Sequence, residues 1–131
     1  MKRVILDTNI YGRIIDERET DAIRDSLSAR KDIIIYGFNL IRKEIRDLSG
    51  KVRLDGRSLR LLLLGLYDSI TKEHDFHVTL PIESLAEEYS TVYKEFGKSV
   101  SNNTFNDFLI VACATLHELD IVVSDDDDTM L

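Results

Sequence analysis

Val4-Ile5-Leu6-Asp7-Thr8-Asn9, near the start of the chain, is the stretch whose reading decides the fold. With Lys2 and Arg3 ahead of it, the apolar run Val4 to Leu6 has the character of a buried parallel strand, apolar on both faces. Asp7, Thr8 and Asn9 then offer side-chain caps for a helix expected to begin near Ile10. A buried strand running straight into a helix is the opening of an α/β unit.

The same alternation continues outward. A helix pattern covers Glu19 to Ala29, and Asp32 to Tyr36 is β-rich and ended by Gly37. Helical spacing runs from Phe38 to Leu48 until Ser49-Gly50 stops it, and again from Arg57 to Thr71 through the leucine-dense Leu59 to Tyr67. Phe76 to Leu80 reads as a third strand, and Pro81 opens an amphipathic helix that Gly97 closes after Phe96. Ser101 to Thr104 is rich in capping residues and introduces an apolar helix, Phe105 to Leu119, before the last strand, Ile121 to Ser124. Strands alternating with helices predict an α/β domain, its central, mainly parallel sheet of about four strands flanked by helices. We expect residues 1–131 to form one domain.

Composition narrows the class. Hydrophobic residues make up 44% and charged residues 31%, with one proline and six glycines, which fits a globular chain rather than a disordered one. No apolar run approaches the roughly 20 residues of a membrane span, and no leader pattern precedes Val4. Cys113 has no partner for a disulfide, so a reducing, cytoplasmic setting is expected. The net charge of −7 speaks against a nucleic-acid partner, but its distribution does not. Between Arg42 and Arg60, seven basic residues (Arg42, Lys43, Arg46, Lys51, Arg53, Arg57, Arg60) outnumber three acids (Glu44, Asp47, Asp55), giving +4 there and −11 elsewhere. Such a strip beside an acidic centre suits a polyanion; an ordinary solvated helix face is the plain alternative.

The acids themselves stand in awkward places. Asp7 ends a strand, as a ligand or as a helix cap. Asp125 to Asp128 follow another strand directly, where ligands of parallel sheets bind, although a charge run is commonly just solvated. Glu44 is placed by helix geometry: at about 100° per residue from Leu40, Ile41 falls near 100°, Ile45 near 140° and Leu48 near 80°. Glu44 lands within that stripe at about 40°, where a carboxylate needs a salt bridge or a ligand. Asp107 is expected in the first turn of its helix, where the macrodipole favours a negative charge, with Val111 and Ala114 on its face. Converging carboxylates repel one another unless a cation compensates them. Oxygen ligands without a histidine or cysteine set point to Mg²⁺ or Mn²⁺; His74, His77 and His117 have no zinc spacing. Acidic sites of this kind hydrolyse phosphodiesters.

These residues resemble the four motifs of PIN-domain ribonucleases. Val4-Ile5-Leu6-Asp7-Thr8-Asn9 is similar to the first, Arg42-Lys43-Glu44-Ile45 to the second, and Asn106 to Ala114 around Asp107 to the third. Leu119 to Asp126 is similar to the fourth, a strand ending in Ser or Thr, any residue, then Asp. The resemblance spans nearly the whole chain, and its weight lies in the ordered set. It implies a PIN-like fold with Asp7, Glu44, Asp107 and Asp126 as metal-binding catalytic acids, Asp125 or Asp128 replacing Asp126 in a slipped register. It implies supporting roles for Thr8, Asn9 and Ser124, the last positioning the fourth acid. Small proteins of this kind are similar to VapC toxins, which implies a Mg²⁺- or Mn²⁺-dependent endoribonuclease with an RNA substrate, a homodimer and a small antitoxin partner. The family commonly adds a strand or helix after the fourth motif, whereas this sequence stops at Leu131.

Other functions are weaker fits. A phosphoacceptor signalling domain needs a lysine near a late strand, and none follows Lys98. A haloacid-dehalogenase-type phosphatase expects Asp-x-Asp after its first strand, where this chain has Asn9. An RNA-processing PIN nuclease without an antitoxin stays open, as does a non-catalytic PIN-like binding module. The apolar faces of Leu59 to Tyr67 and Ile82 to Phe96 are core, or a surface for a dimer or an antitoxin.

Overall fold

The computed structural model describes residues 1–16, 20–48, 50–54 and 56–124. Asp125, Asp126 and Asp128, like the expected helix start at Glu19, lie outside them. The elements are β1 (Lys2–Leu6), α1 (Thr8–Asp16), α2 (Thr20–Ala29), β2 (Ile33–Phe38), α3 (Asn39–Arg46), β3 (Arg53–Leu54) and β4 (Arg57–Ser58). They continue with α4 (Leu59–Thr71), β5 (Asp75–Phe76), α5 (Leu80–Glu95), α6 (Asn102–Leu116) and β6 (Ile121–Val123).

Four strands form one parallel sheet in the order β5-β2-β1-β6, as the strand–helix alternation predicts. Consecutive strands in this order cannot be joined by tight turns, so helices cross over between them and cover both faces. Val4 pairs with Ile35 and shares a face with Gly37, against which Tyr67 of α4 packs; this face carries α1 to α4. Ile5 pairs with Tyr36 on the opposite face, where Tyr36 stacks on Phe76 and Phe76 on His117, just past α6. Helices α5 and α6 pack on each other there, burying Ile82, Ala86, Ile110 and Cys113.

Gly37 is required where it is. A Cβ at this position would run into the Tyr67 hydroxyl and the Asp75 carboxylate. The Tyr67 hydroxyl donates to Asp75 Oδ1 at 2.6 Å, with the Phe38 carbonyl a second acceptor at 3.2 Å. Burial and the adjacent Asp75 carboxylate push the Tyr67 phenol well above its ordinary range, so it stays a donor.

Several boundaries depart from the sequence expectation. Thr8 is already helical, two residues before Ile10. The strand expected over Phe76 to Leu80 shrinks to Asp75–Phe76, because Thr79 turns the chain into α5: its hydroxyl accepts from the Ile82 amide at 3.4 Å, with Pro81 in the first turn. Helix α6 starts at Asn102 rather than Phe105, the Ser101 hydroxyl accepting from the Thr104 amide at 3.1 Å. Asp107 therefore sits in the second turn, beyond the strongest field of the helix terminus. Finally, Arg57 and Ser58 are not helical: they pair antiparallel with Arg53 and Leu54 in a hairpin outside the main sheet. The two-residue connection 55–56, Asp-Gly in the sequence with Gly56 at φ 79°, is a strong hairpin signal that the leucine-rich helical pattern overshadows.

Candidate active site

Two adjacent parallel strands deliver the centre of the site. The Leu6–Val123 register carries Asp7 and Ser124 out together at the carboxyl end of the sheet, and the Asp7 amide donates to the Val123 carbonyl at 3.0 Å. Asp7 is only 4% exposed. A carboxylate that deep must be bonded, and it is: Oδ1 accepts the Thr8 amide at 2.7 Å, and Oδ2 accepts the Ser124 hydroxyl at 3.1 Å. Its own carbonyl accepts the Ile10 amide at 3.0 Å, so Asp7 also starts α1. Cap and candidate ligand are thus one residue.

Thr8 links this acid to the next. Its hydroxyl donates to Glu44 Oε2 at 2.6 Å, across 36 positions of sequence. Helix α3 presents Glu44 half-buried beside the fully buried Ile41 and Ile45, while Leu48, at the end of the expected stripe, is 40% exposed. Among the described residues no cation pairs with Glu44, so a hydroxyl stands where a salt bridge was the alternative. Burial raises the Glu44 carboxyl above its usual range; the Thr8 hydroxyl bond opposes that shift, and the charge of Asp7 adds to it. Two carboxylates joined by one threonine, one of them resisting ionisation, form an oxygen-rich pair with an electrostatic cost that a cation would relieve.

Of the other expected site residues, Asp107 is half-buried on α6 and Asn9 is exposed on α1. Among the described residues no three of His, Cys, Asp and Glu stand together as a group able to hold a metal ion. The described part of the site is therefore the Asp7–Glu44 pair with Thr8 and Ser124. The Ser124 hydroxyl, expected beside a fourth acid that lies outside the described residues, donates to the first acid, a partnership 117 positions apart with no local sequence signal. His74 and His77 are exposed, His117 lies flat on Phe76 with centroids 3.9 Å apart, and burial pushes the Cys113 thiol up to about 12. A thiol so placed is not a nucleophile.

A parallel four-stranded sheet between helical layers, with acids at its carboxyl end, is a PIN-like α/β fold. One chain of the crystal structure of VapBC2 from Rickettsia felis, bound to a DNA fragment from their promoter, shares it with a TM-score of 0.64. The match covers 96% of this chain and 90% of that one at 15% sequence identity, a likeness of fold. The sequence matches no protein-family model and no curated protein.

Proposed function

We propose that this protein is a Mg²⁺- or Mn²⁺-dependent endoribonuclease, acting as the toxin of a VapBC-like toxin–antitoxin pair. The observation that carries the proposal is the Asp7–Thr8–Glu44 junction at the carboxyl end of a PIN-like sheet. Oxygen donors of this kind suit hard divalent cations, and Asp7 and Glu44 would hold the ion with Asp107 and Asp126 as the further acids. When bound, the ion supplies Lewis-acid stabilisation to a phosphodiester and makes a nearby water more acidic. Thr8 fixes both carboxylates in one geometry, and the Ser124 hydroxyl holds the second oxygen of Asp7. Such supporting bonds orient ligands and keep the site preorganised.

The partners follow from the same proposal. Helix α5 buries Ile82 and Ala86 near its start but leaves Val92 50% and Phe96 78% exposed near its end. Tyr89, Val92, Tyr93 and Phe96 join Phe108 and Val111 of α6 in an apolar groove of about 700 Å³. We assign that groove to a second copy of the chain or to an antitoxin. No helix among the described residues is long and apolar enough to cross a membrane.

The deciding experiment measures cleavage of structured RNAs with Mg²⁺ or Mn²⁺, comparing the parent chain with Asp7→Asn and Asp107→Asn. Both variants should keep the parent circular dichroism spectrum and lose cleavage. Full metal-dependent activity in Asp7→Asn would sink the proposal.

A further inference from the structure

The hairpin of β3 and β4 does little for the core. Of its described members only Ser58 is buried; Arg53, Gly56 and Arg57 are exposed, and neighbouring Val52 is 47% exposed. It is nevertheless a defined element, closed at its base by the Leu59 amide donating to the Val52 carbonyl at 2.9 Å. Arg60, half-buried, lies across Gly50, so close that a Cβ there would stand 3.0 Å from its guanidinium. What the hairpin holds out to solvent is positive charge. Arg53 opposes Ser58 and Leu54 opposes Arg57, so the two arginines flank a ribbon roughly 5 Å wide from either side.

Not every cation of the strip is available. Arg42 is committed to Asp68 through two bonds of 3.1 Å, and Lys51 has an interaction of its own. Among the described residues, however, Lys43, Arg46, Arg53, Arg57 and Arg60 make no ion pair. Lys43 and Arg46 are one turn apart on the exposed side of α3, and the half-buried Glu44, between them in the chain, is turned about 100° from Lys43 and about 160° from Arg46 around the helix axis. In a chain of net charge −7 with acids to spare, cations on α3, the hairpin and the first turn of α4 that pair with no carboxylate among the described residues are a cost to folding. That cost is offset if a polyanion neutralises them. Four of the five are arginines, whose planar forks match phosphate oxygens.

We propose that the hairpin Arg53–Ser58, together with Lys43, Arg46 and Arg60, is the binding surface for the phosphate backbone of a single-stranded RNA substrate. This rests on the nuclease function proposed above and assigns its substrate a binding surface. The strip makes backbone contacts, which give affinity and register without reading sequence. The acidic remainder of the surface repels RNA bound elsewhere, so these local cations decide where on the protein the RNA is held.

The test is fluorescence anisotropy of a labelled single-stranded RNA oligomer in chelator, where nothing is cleaved, across a range of salt concentrations. The Arg53→Ala/Arg57→Ala protein should bind about 20-fold more weakly near 0.1 M salt, and the slope of log K against log salt should fall by about 1.4, two contacts' worth for a single strand. Arg53→Lys/Arg57→Lys should keep most of that slope, since charge and not shape sets it. Lys94→Ala, an exposed cation on α5, should change neither quantity. Unchanged thermal unfolding of the alanine variant shows that the fold survives. Parent affinity and slope in the alanine variant would overturn the proposal, as would failure of the parent chain to bind RNA. Loss of binding to an acidic protein partner with RNA binding intact would overturn it too. Because binding is read without cleavage, RNA held by the hairpin of a protein that never cuts leaves this surface standing and removes the nuclease; cleavage with hairpin-independent binding does the reverse.

Discussion

The Asp7–Glu44 junction and the basic hairpin handle charge in opposite ways. Asp7 is 4% exposed and both of its carboxylate oxygens accept hydrogen bonds, whereas Arg53 and Arg57 stand in solvent. A buried charge is tolerated only where bonds of fixed geometry replace water, so its position is determined to a fraction of an ångström. An exposed charge acts through a field that salt screens within about 10 Å, so its number and sign matter more than its exact place. The contrast suits the division of labour proposed above, in which the acid junction would do the chemistry and the basic hairpin would gather substrate.

The largest break in that contrast is Asp7→Asn, which keeps the size and most of the bonding of the side chain but removes its charge. We expect cleavage to fall by more than about 100-fold with little change in RNA affinity, in keeping with the loss of a group that stabilises charge in the transition state; a parallel loss of affinity would show that the two regions are not separate. Salt comes next. Raising it from about 50 to about 200 mM should weaken RNA binding roughly 30-fold, as three or four backbone contacts require. The unfolding midpoint should move little, because the acid junction is shielded; a large shift would place the junction within reach of solvent ions. Thr8→Val removes the hydroxyl on Glu44 and keeps the Asp7 amide bond. We expect about a ten-fold loss of activity, the scale of a lost supporting bond. The pH at which activity is half lost on the acid side should also rise, since the Thr8 bond holds the Glu44 carboxyl down against burial.

The smallest effect is on stability. A carboxyl raised in the folded state binds its proton more tightly there than in the unfolded chain. It therefore costs stability above its folded pKa, and the cost disappears as pH falls below the unfolded value. Glu44→Gln should thus raise the unfolding temperature of the metal-free protein at neutral pH by about 1–3 °C, a gain kept small by partial exposure and fading towards low pH. Added Mg²⁺ or Mn²⁺ should stabilise the parent chain more than this variant. Equal stabilisation of both would remove Glu44 from the site.

Local chemistry made much of this molecule legible. Val4 to Leu6 is apolar on both faces because helices cover both faces of its sheet, and Ser101 and Thr79 are ordinary caps at the starts of α6 and α5. Asp7 could be placed at a strand end and Glu44 beside a buried stripe from spacing alone. The hairpin was signalled by Asp55-Gly56, but two-residue strands carry too short a pattern to compete with the leucine-rich helix that follows.

What the sequence by itself determined was the alternation of strands and helices and the order of the acids along it, because periodicity, caps and turn residues act within a few positions of one another. Tertiary structure decided the rest. It brought the Thr8 hydroxyl to Glu44 across 36 positions and Ser124 to Asp7 across 117. It also set Tyr67 against the bare backbone of Gly37. Such contacts depend on strand order and on which face each helix covers, and these emerge only when the whole chain packs around one sheet.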